Sequence, residues 1–487
     1  MSAQGPAPPA STPPGWPSWR PPPAPPPPPP PRRSGRPLLI VAAIVVAIAL
    51  TGATVAVWAG GRDAGSRSNP GDASGNPAPT TAAPATSAPA GGTATTAPPV
   101  AQTPAAVRAI EAQVERLRGL RFERSVPVTV ESPAKVAAQL LREVDREANK
   151  TDIERQARAL EALGELPPGT DLFGLLRSVQ AESVLGFYVP GKPPGKGRLY
   201  VRSDKGLDPY ARVVLSHELT HAVTDQHFDL TRADRLANGD ADDRATAYSG
   251  LVEGDATVLM QLYQEQALSP REQAEAISVG GNQTTPKLDA APAVVRESLL
   301  FPYTAGVAFI RALYQSGGWD AVNRAYRDPP ASTEQLLHPE NYLRQRDDPQ
   351  TVRIPDLRGA LGQEWGEGTR MEWGEFDTRL MLEGTFPVTT AERVAAGWDG
   401  GELRSFQKGG RTALALRTVW DSPGEAREYC TAMARWANVH LGTQVAANRW
   451  SGALQQGALV CGGSRAAWVS APDRGSLDGM VRGLGGP

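Results

Sequence analysis

The sequence predicts an α+β protein, with a mainly helical domain carrying a small sheet and then a C-terminal α+β module. Three observations carry this. Between residues 105 and 327 most segments repeat apolar residues at helical spacing. Short runs rich in Val and Tyr, at 126–130, 186–189 and 198–201, interrupt them as strands would. After about residue 350 the pattern changes, with strand-like runs at 413–419, 457–460 and 464–470 around a helix-like stretch at 422–439.

The first hundred residues are of another kind. Residues 1–36 are packed with proline and hold no acidic residue, which reads as a polyproline II or unfolded tail. Residues 37–60 are uncharged and apolar over about 22 residues, enough to cross a bilayer as a helix. Arg32, Arg33 and Arg36 precede this run, and Arg62 after it is offset by Asp63. The excess of positive charge before the run predicts a cytoplasmic N-terminus and an extracytoplasmic remainder at the cell membrane, held by a single-pass N-terminal helix. Residues 61–103 are mostly Ala, Thr, Pro, Ser and Gly, a composition that cannot bury a core, and read as a disordered stalk. The folded part then divides into 104–348 and 349–487.

Within 104–348 the helices fall at about 105–119, 133–147, 152–164, 170–181, 292–316 and 319–327. A hairpin is expected where 186–189 and 198–201 flank a Gly/Pro/Lys turn. Its edge offers backbone groups to an extended peptide, which makes it a candidate cleft wall. Cys430 and Cys461, the two cysteines of the chain, both fall in the second module and predict one disulfide outside the membrane.

The chemistry concentrates at 214–223. Asp208 is a good N-cap and Pro209 suits the first helical position, so a helix starts there. Its sequence contains His217-Glu218-Leu219-Thr220-His221 in a chain with five histidines. At a spacing of four, both imidazoles share one helical face and can bind one zinc ion. Glu218 beside them can take a proton from water. A third ligand is expected, and His227 projects from another face of the same helix. Downstream, Tyr248, Leu251, Val252, Leu259, Met260 and Tyr263 mark a second helix, and Glu253 within it is the candidate third ligand.

Residues 217–225 (HELTHAVTD) resemble the active-site helix of thermolysin-type zinc metallopeptidases, and the layout resembles the gluzincin group of zincins. The resemblance implies Zn2+ on His217, His221 and Glu253, and Glu218 as general base. Where that family has Asn before the third ligand and Asp four residues after it, this chain has Val252 and Thr257. Asp255 is the remaining candidate for a supporting carboxylate. Segments 227–230 and 251–256 look more like uncharacterised bacterial membrane-anchored gluzincin-like proteins. Tyr303, in Leu-Phe-Pro-Tyr-Thr-Ala-Gly, and His338, in Leu-Leu-His-Pro-Glu, are candidate donors to an oxyanion. The function expected is hydrolysis of a peptide or protein substrate. The alternative is an inactive zincin-like scaffold that binds a partner at the cell surface. A formal charge of −2, with no basic patch interleaved with aromatics, argues against nucleic acid as a partner.

Overall fold

The computed structural model describes residues 45–48 and 104–487, apart from 194 and 238–240. The expected proline-rich tail (1–36), the stalk (61–103) and most of the apolar run at 37–60 lie outside the described residues. Both folded parts mix helix with small sheets, as an α+β chain should.

The chain runs β1 (Val45–Ile48), α1 (Pro104–Arg118), β2 (Val128–Glu131), α2 (Pro133–Glu147), α3 (Lys150–Ala162), α4 (Leu172–Ser183), β3 (Val184–Val189) and β4 (Arg198–Arg202). Next come α5 (Pro209–Phe228), α6 (Asp242–Ala267), α7 (Pro270–Gly281), the long α8 (Ala293–Arg327) and the short α9 (Thr333–Leu337). The first sheet has the order β1-β3-β4-β2. β3 and β4 form the expected antiparallel hairpin, and β2 joins β4 in parallel.

Four residues of the 37–60 run depart from the expected membrane helix. Val45–Ile48 form β1, antiparallel to β3, with Val45 opposite Tyr188 and Val46 opposite Phe187. Periodicity cannot separate strand from helix in an apolar run. Three of these four residues are β-branched and suit the pleated edge of a sheet.

α2, α3, α4, α6 and α8 bury one core that includes Val136, Leu140, Ile153, Leu251, Phe309 and Ile310. A second cluster packs α1 and the hairpin against α5 through Val114, Leu199, Leu215 and Leu219. α8 is long and apolar enough to cross a membrane, but more than half of its apolar window is buried inside the fold. It bends at Gly317 and Gly318, where the two glycines leave helical geometry and Gly318 adopts φ 61°. That break falls between the two segments expected as separate helices.

The second part comprises β5 (Gly366–Glu372), α10 (Glu375–Glu383), α11 (Val388–Ala395), β6 (Trp398–Lys408), β7 (Arg411–Trp420), α12 (Pro423–His440), β8 (Thr443–Ala446), β9 (Arg449–Ser451), β10 (Gln456–Gly462), β11 (Arg465–Ala471) and α13 (Arg474–Leu484). Its strands form an antiparallel sheet of order β5-β6-β7-β11-β10-β9-β8. Alternate residues face opposite ways. Leu403, Leu414, Leu416 and Trp468 meet Tyr429, Met433 and Trp436 of α12. Phe406, Ala413, Ala415, Ala467 and Val469 meet Leu477 and Met480 of α13. The disulfide forms as expected, joining Cys430 of α12 to Cys461 of β10.

Candidate metal centre

α5 begins as its sequence suggests. The Asp208 carboxylate accepts a hydrogen bond from the Ala211 backbone N–H, and Pro209 occupies the first turn. Residues 210, 211 and 213–225 are buried, so the helix is held from all sides rather than lying on a surface. His217 and His221 face one another across one turn, with their Nε2 atoms 2.9 Å apart. Glu253 arrives from the middle of α6. Its Oε2 stands 3.2 Å from His217 Nε2 and 3.5 Å from His221 Nε2.

These three side chains are buried and form a cluster able to hold a metal ion. Burial alone would raise the Glu253 carboxyl, but the two imidazoles, His221 foremost, hold it below its usual range. Burial lowers the His221 imidazole, which favours the neutral, lone-pair form that ligation needs.

Glu218 is fully buried, and its side chain rests against β3. A Cβ added to Gly186 would lie 3.1 Å from Glu218 Oε1 and 3.0 Å from the Tyr200 carbonyl oxygen. Glycine at 186 therefore lets the hairpin close on the glutamate. The hairpin lies against Glu218, but neither of its edges is free as expected for a cleft wall: β1 pairs with β3 and β2 with β4.

Tyr303 comes from α8. Its ring lies 6.4 Å from the His217 ring, and its hydroxyl is hydrogen-bonded to Glu253. Burial, with the nearby carboxylates of Glu253 and Glu218, pushes the phenol well up, so it stays protonated as a donor. His338 is brought elsewhere. It follows the short α9, and its Nε2 pairs with Glu375 Oε1 of α10 at 2.9 Å. The Leu-Leu-His-Pro segment ends a helix that packs toward the second part, which carries the imidazole into that junction. His227 is likewise outside the cluster, bonded to the Arg121 carbonyl oxygen at 2.9 Å.

Asp255 supports the centre from behind without touching the imidazoles. It takes three hydrogen bonds from the Arg118 guanidinium, at 2.8, 3.1 and 3.1 Å, and one from the Tyr326 hydroxyl at 2.9 Å. Arg118 and Asp255 are both fully buried, so α1, α6 and α8 are tied together at this point. Asp225, the last residue of the motif, accepts from Tyr188 Oη, Gly195 N and Leu230 N, which locks the hairpin turn to α5. α6 and α8 cross with almost no gap. A Cβ on Gly254 would lie 2.3 Å from the Gly306 carbonyl oxygen, and one on Gly306 would lie 2.1 Å from that of Gly250. This contact places Tyr303, one turn before Gly306, beside Glu253. Arg118, Gly186 and Gly306 carry no local sequence signal. The Gly250/Gly254 spacing of four is the one trace of the close crossing that a sequence could offer.

A family described as a domain of unknown function (DUF8575) matches residues 363–481, most of the second part. No curated protein and no solved structure matches the chain.

Proposed function

We propose that the protein is a zinc-dependent metallopeptidase. The observation that carries this is the convergence of His217 Nε2, His221 Nε2 and Glu253 Oε2, with Glu218 next to His217 on the same helix and its charge acting on Tyr303, which bonds Glu253. Donor atoms of a tetrahedral zinc at about 2.05 Å stand roughly 3.3 Å apart. The separations of 2.9, 3.2 and 3.5 Å fit that set, and two imidazoles with one carboxylate suit zinc chemically. Three protein donors leave a fourth position for water or substrate.

Zinc, when bound, would acidify water and polarise a peptide carbonyl. The chain's own residues do the rest. Glu218 takes the proton of the attacking water on its carboxylate and returns a proton to the leaving amine. Tyr303, kept protonated, would turn its O–H from Glu253 to the oxygen on which negative charge develops. β4 is covered by β2, so only the β3 edge, once Val45–Ile48 leave it, would offer backbone groups to an extended substrate.

This reading also anchors the chain at the cell membrane by the 37–60 run. Insertion would require Val45–Ile48 to leave the edge of β3, because in lipid the run satisfies its backbone as a helix.

The test is Glu218→Gln assayed on washed membranes with a broad peptide library. The variant should keep one metal ion per chain and lose turnover by roughly 10²–10⁴-fold. Full activity in the Glu218→Gln variant would sink the mechanism. Activity stripped from the membranes by alkaline carbonate would remove the anchor from the reading.

A further inference from the structure

β3 has one edge that β4 does not take, and the chain fills it with a piece of itself. β1 runs antiparallel along that edge, with Val45 opposite Tyr188, Val46 opposite Phe187 and Ala47 opposite Gly186. The register shifts between Ala47 and Ile48, and Ile48 stands opposite Val184. The strand also lies close to α5, the helix of His217, Glu218 and His221.

The position matters for what stands behind it. Glu218 rests against β3 at Gly186, where an added Cβ would lie 3.1 Å from Glu218 Oε1. The backbone at Ala47 therefore passes the point at which β3 touches that carboxylate. On the other side of the hairpin β2 covers β4. An extended peptide brought to Glu218 by pairing with the hairpin has the β3 edge alone to use, and β1 holds it.

The same residues have a second use that excludes the first. Val45–Ile48 lie inside the uncharged run 37–60. A bilayer-spanning helix needs about 20 residues to cover about 30 Å. With β1 in the sheet, residues 49–60 remain on one side, about 18 Å as a helix, and residues 37–44 on the other, about 12 Å. Neither piece spans, so the run serves the sheet or the bilayer, never both.

We propose that Val45–Ile48 act as an internal inhibitor: docked on β3 they occupy the edge a substrate needs, and membrane insertion withdraws them. The proposal rests on the peptidase reading and adds a condition to it, that the edge opens where the chain is anchored. Residues 49–103 tether the segment to α1, so it competes with free peptide as an intramolecular ligand. Its composition also states what the edge accepts, an extended run of apolar, mostly β-branched residues that suit a pleated edge.

The test uses the full chain made by cell-free synthesis, with and without preformed phosphatidylcholine–phosphatidylglycerol vesicles. Val46→Pro with Ala47→Pro is the undocking variant, because one of two successive N–H groups faces β3 and proline has none. Without vesicles, amide exchange of residues 184–189 should be at least about tenfold faster in the variant than in wild type. Vesicles should bring wild type to the same rate. Cleavage of a broad peptide library should follow the same order, lipid-free wild type being lowest by about tenfold, the factor for an edge open in a tenth of the molecules. Equal exchange in lipid-free wild type and variant would overturn the docking. Faster exchange with unchanged cleavage would make β1 a cap on the sheet and overturn the inhibition. If the variant does not fold, wild type with and without vesicles decides by the same two readouts. No cleavage by any form, with exchange as expected, would defeat the peptidase reading and the inhibition with it, whereas a failure of docking shows in the exchange itself.

Discussion

At the scale of single residues, the centre combines what a local pattern announces with what tertiary packing alone supplies. His217, Glu218 and His221 are legible because their spacing is a property of one helix, and Asp208-Pro209 marks where that helix begins. Glu253 is legible one step further out, because apolar periodicity makes its segment a buried helix. Asp255 reads as a carboxylate beside the ligands and instead binds Arg118, a partner 137 residues away that no local rule could name. Tyr303 and His338 look alike in sequence, each beside a proline in an apolar setting. Only the crossing of α8 with α6 brings one to the His217–His221–Glu253 cluster, while the other bonds Glu375. Tyr303→Phe should keep the metal and the substrate KM while lowering kcat by about 10²-fold, the usual cost of losing one oxyanion donor. Steady-state kinetics checks this, and an unchanged kcat would reduce Tyr303 to a packing residue.

Among elements, agreement is closest where period and punctuation coincide. α2 spans the expected residues, and the hairpin and α12 are found within two residues of their expected bounds. β6 carries no such pattern. Its sequence, Trp-Asp-Gly-Gly-Glu-Leu-Arg-Ser-Phe-Gln-Lys, mixes charge and glycine, yet Glu402 is buried because Arg370 pairs with it at 2.7 Å. A charged residue whose partner lies on a neighbouring strand looks like a surface residue until the sheet is known. The apolar run at Val45–Ile48 fails in the opposite sense, since its composition serves a bilayer helix or a sheet edge equally. The disulfide spans 31 residues and clamps α12 to β10. Replacing both cysteines by serine should cost roughly 3–4 kcal/mol in the chain-entropy picture. Denaturant unfolding of the second part's tryptophan signal measures it, and a loss below about 1 kcal/mol would mean that sheet packing alone holds the pair.

For the molecule as a whole, the two parts meet across buried acids as well as apolar surface. A cavity between them is lined by Glu165 and Gln156 from the first part, Asp242 at the start of α6, and Asp377 and Trp373 from the second. Burial, with the Asp377 charge opposite, pushes the Glu165 carboxyl up to about 8. Burial pushes Asp377 up to about 6. A carboxyl raised in the folded state contributes stability that is fully present below its unfolded value, near 4.5 for Glu165, and is lost as pH rises through 8. Glu165 keeps partial contact with solvent, so the loss between pH 5 and 8 should be about 1–2 kcal/mol rather than the full linkage value. Glu165→Gln should flatten that slope and stabilise the chain at pH 8 while changing little at pH 5. Thermal unfolding at the two values decides it, and parallel slopes for variant and wild type would exclude Glu165 as the source.

The buried length of α5 bears on how metal and chain depend on each other. Tyr210, Ala211 and every residue from Val213 to Asp225 are enclosed, capped by Asp208 and pinned by Asp225. The helix that carries the two imidazoles is thus held by the scaffold without an ion. Small zinc-nucleated domains, by contrast, fold only when the ion binds. Here loading and loss of metal would turn chemistry on and off in a chain that keeps its shape. If zinc binds there as proposed, its occupancy would follow the free metal of the surroundings without the fold depending on it.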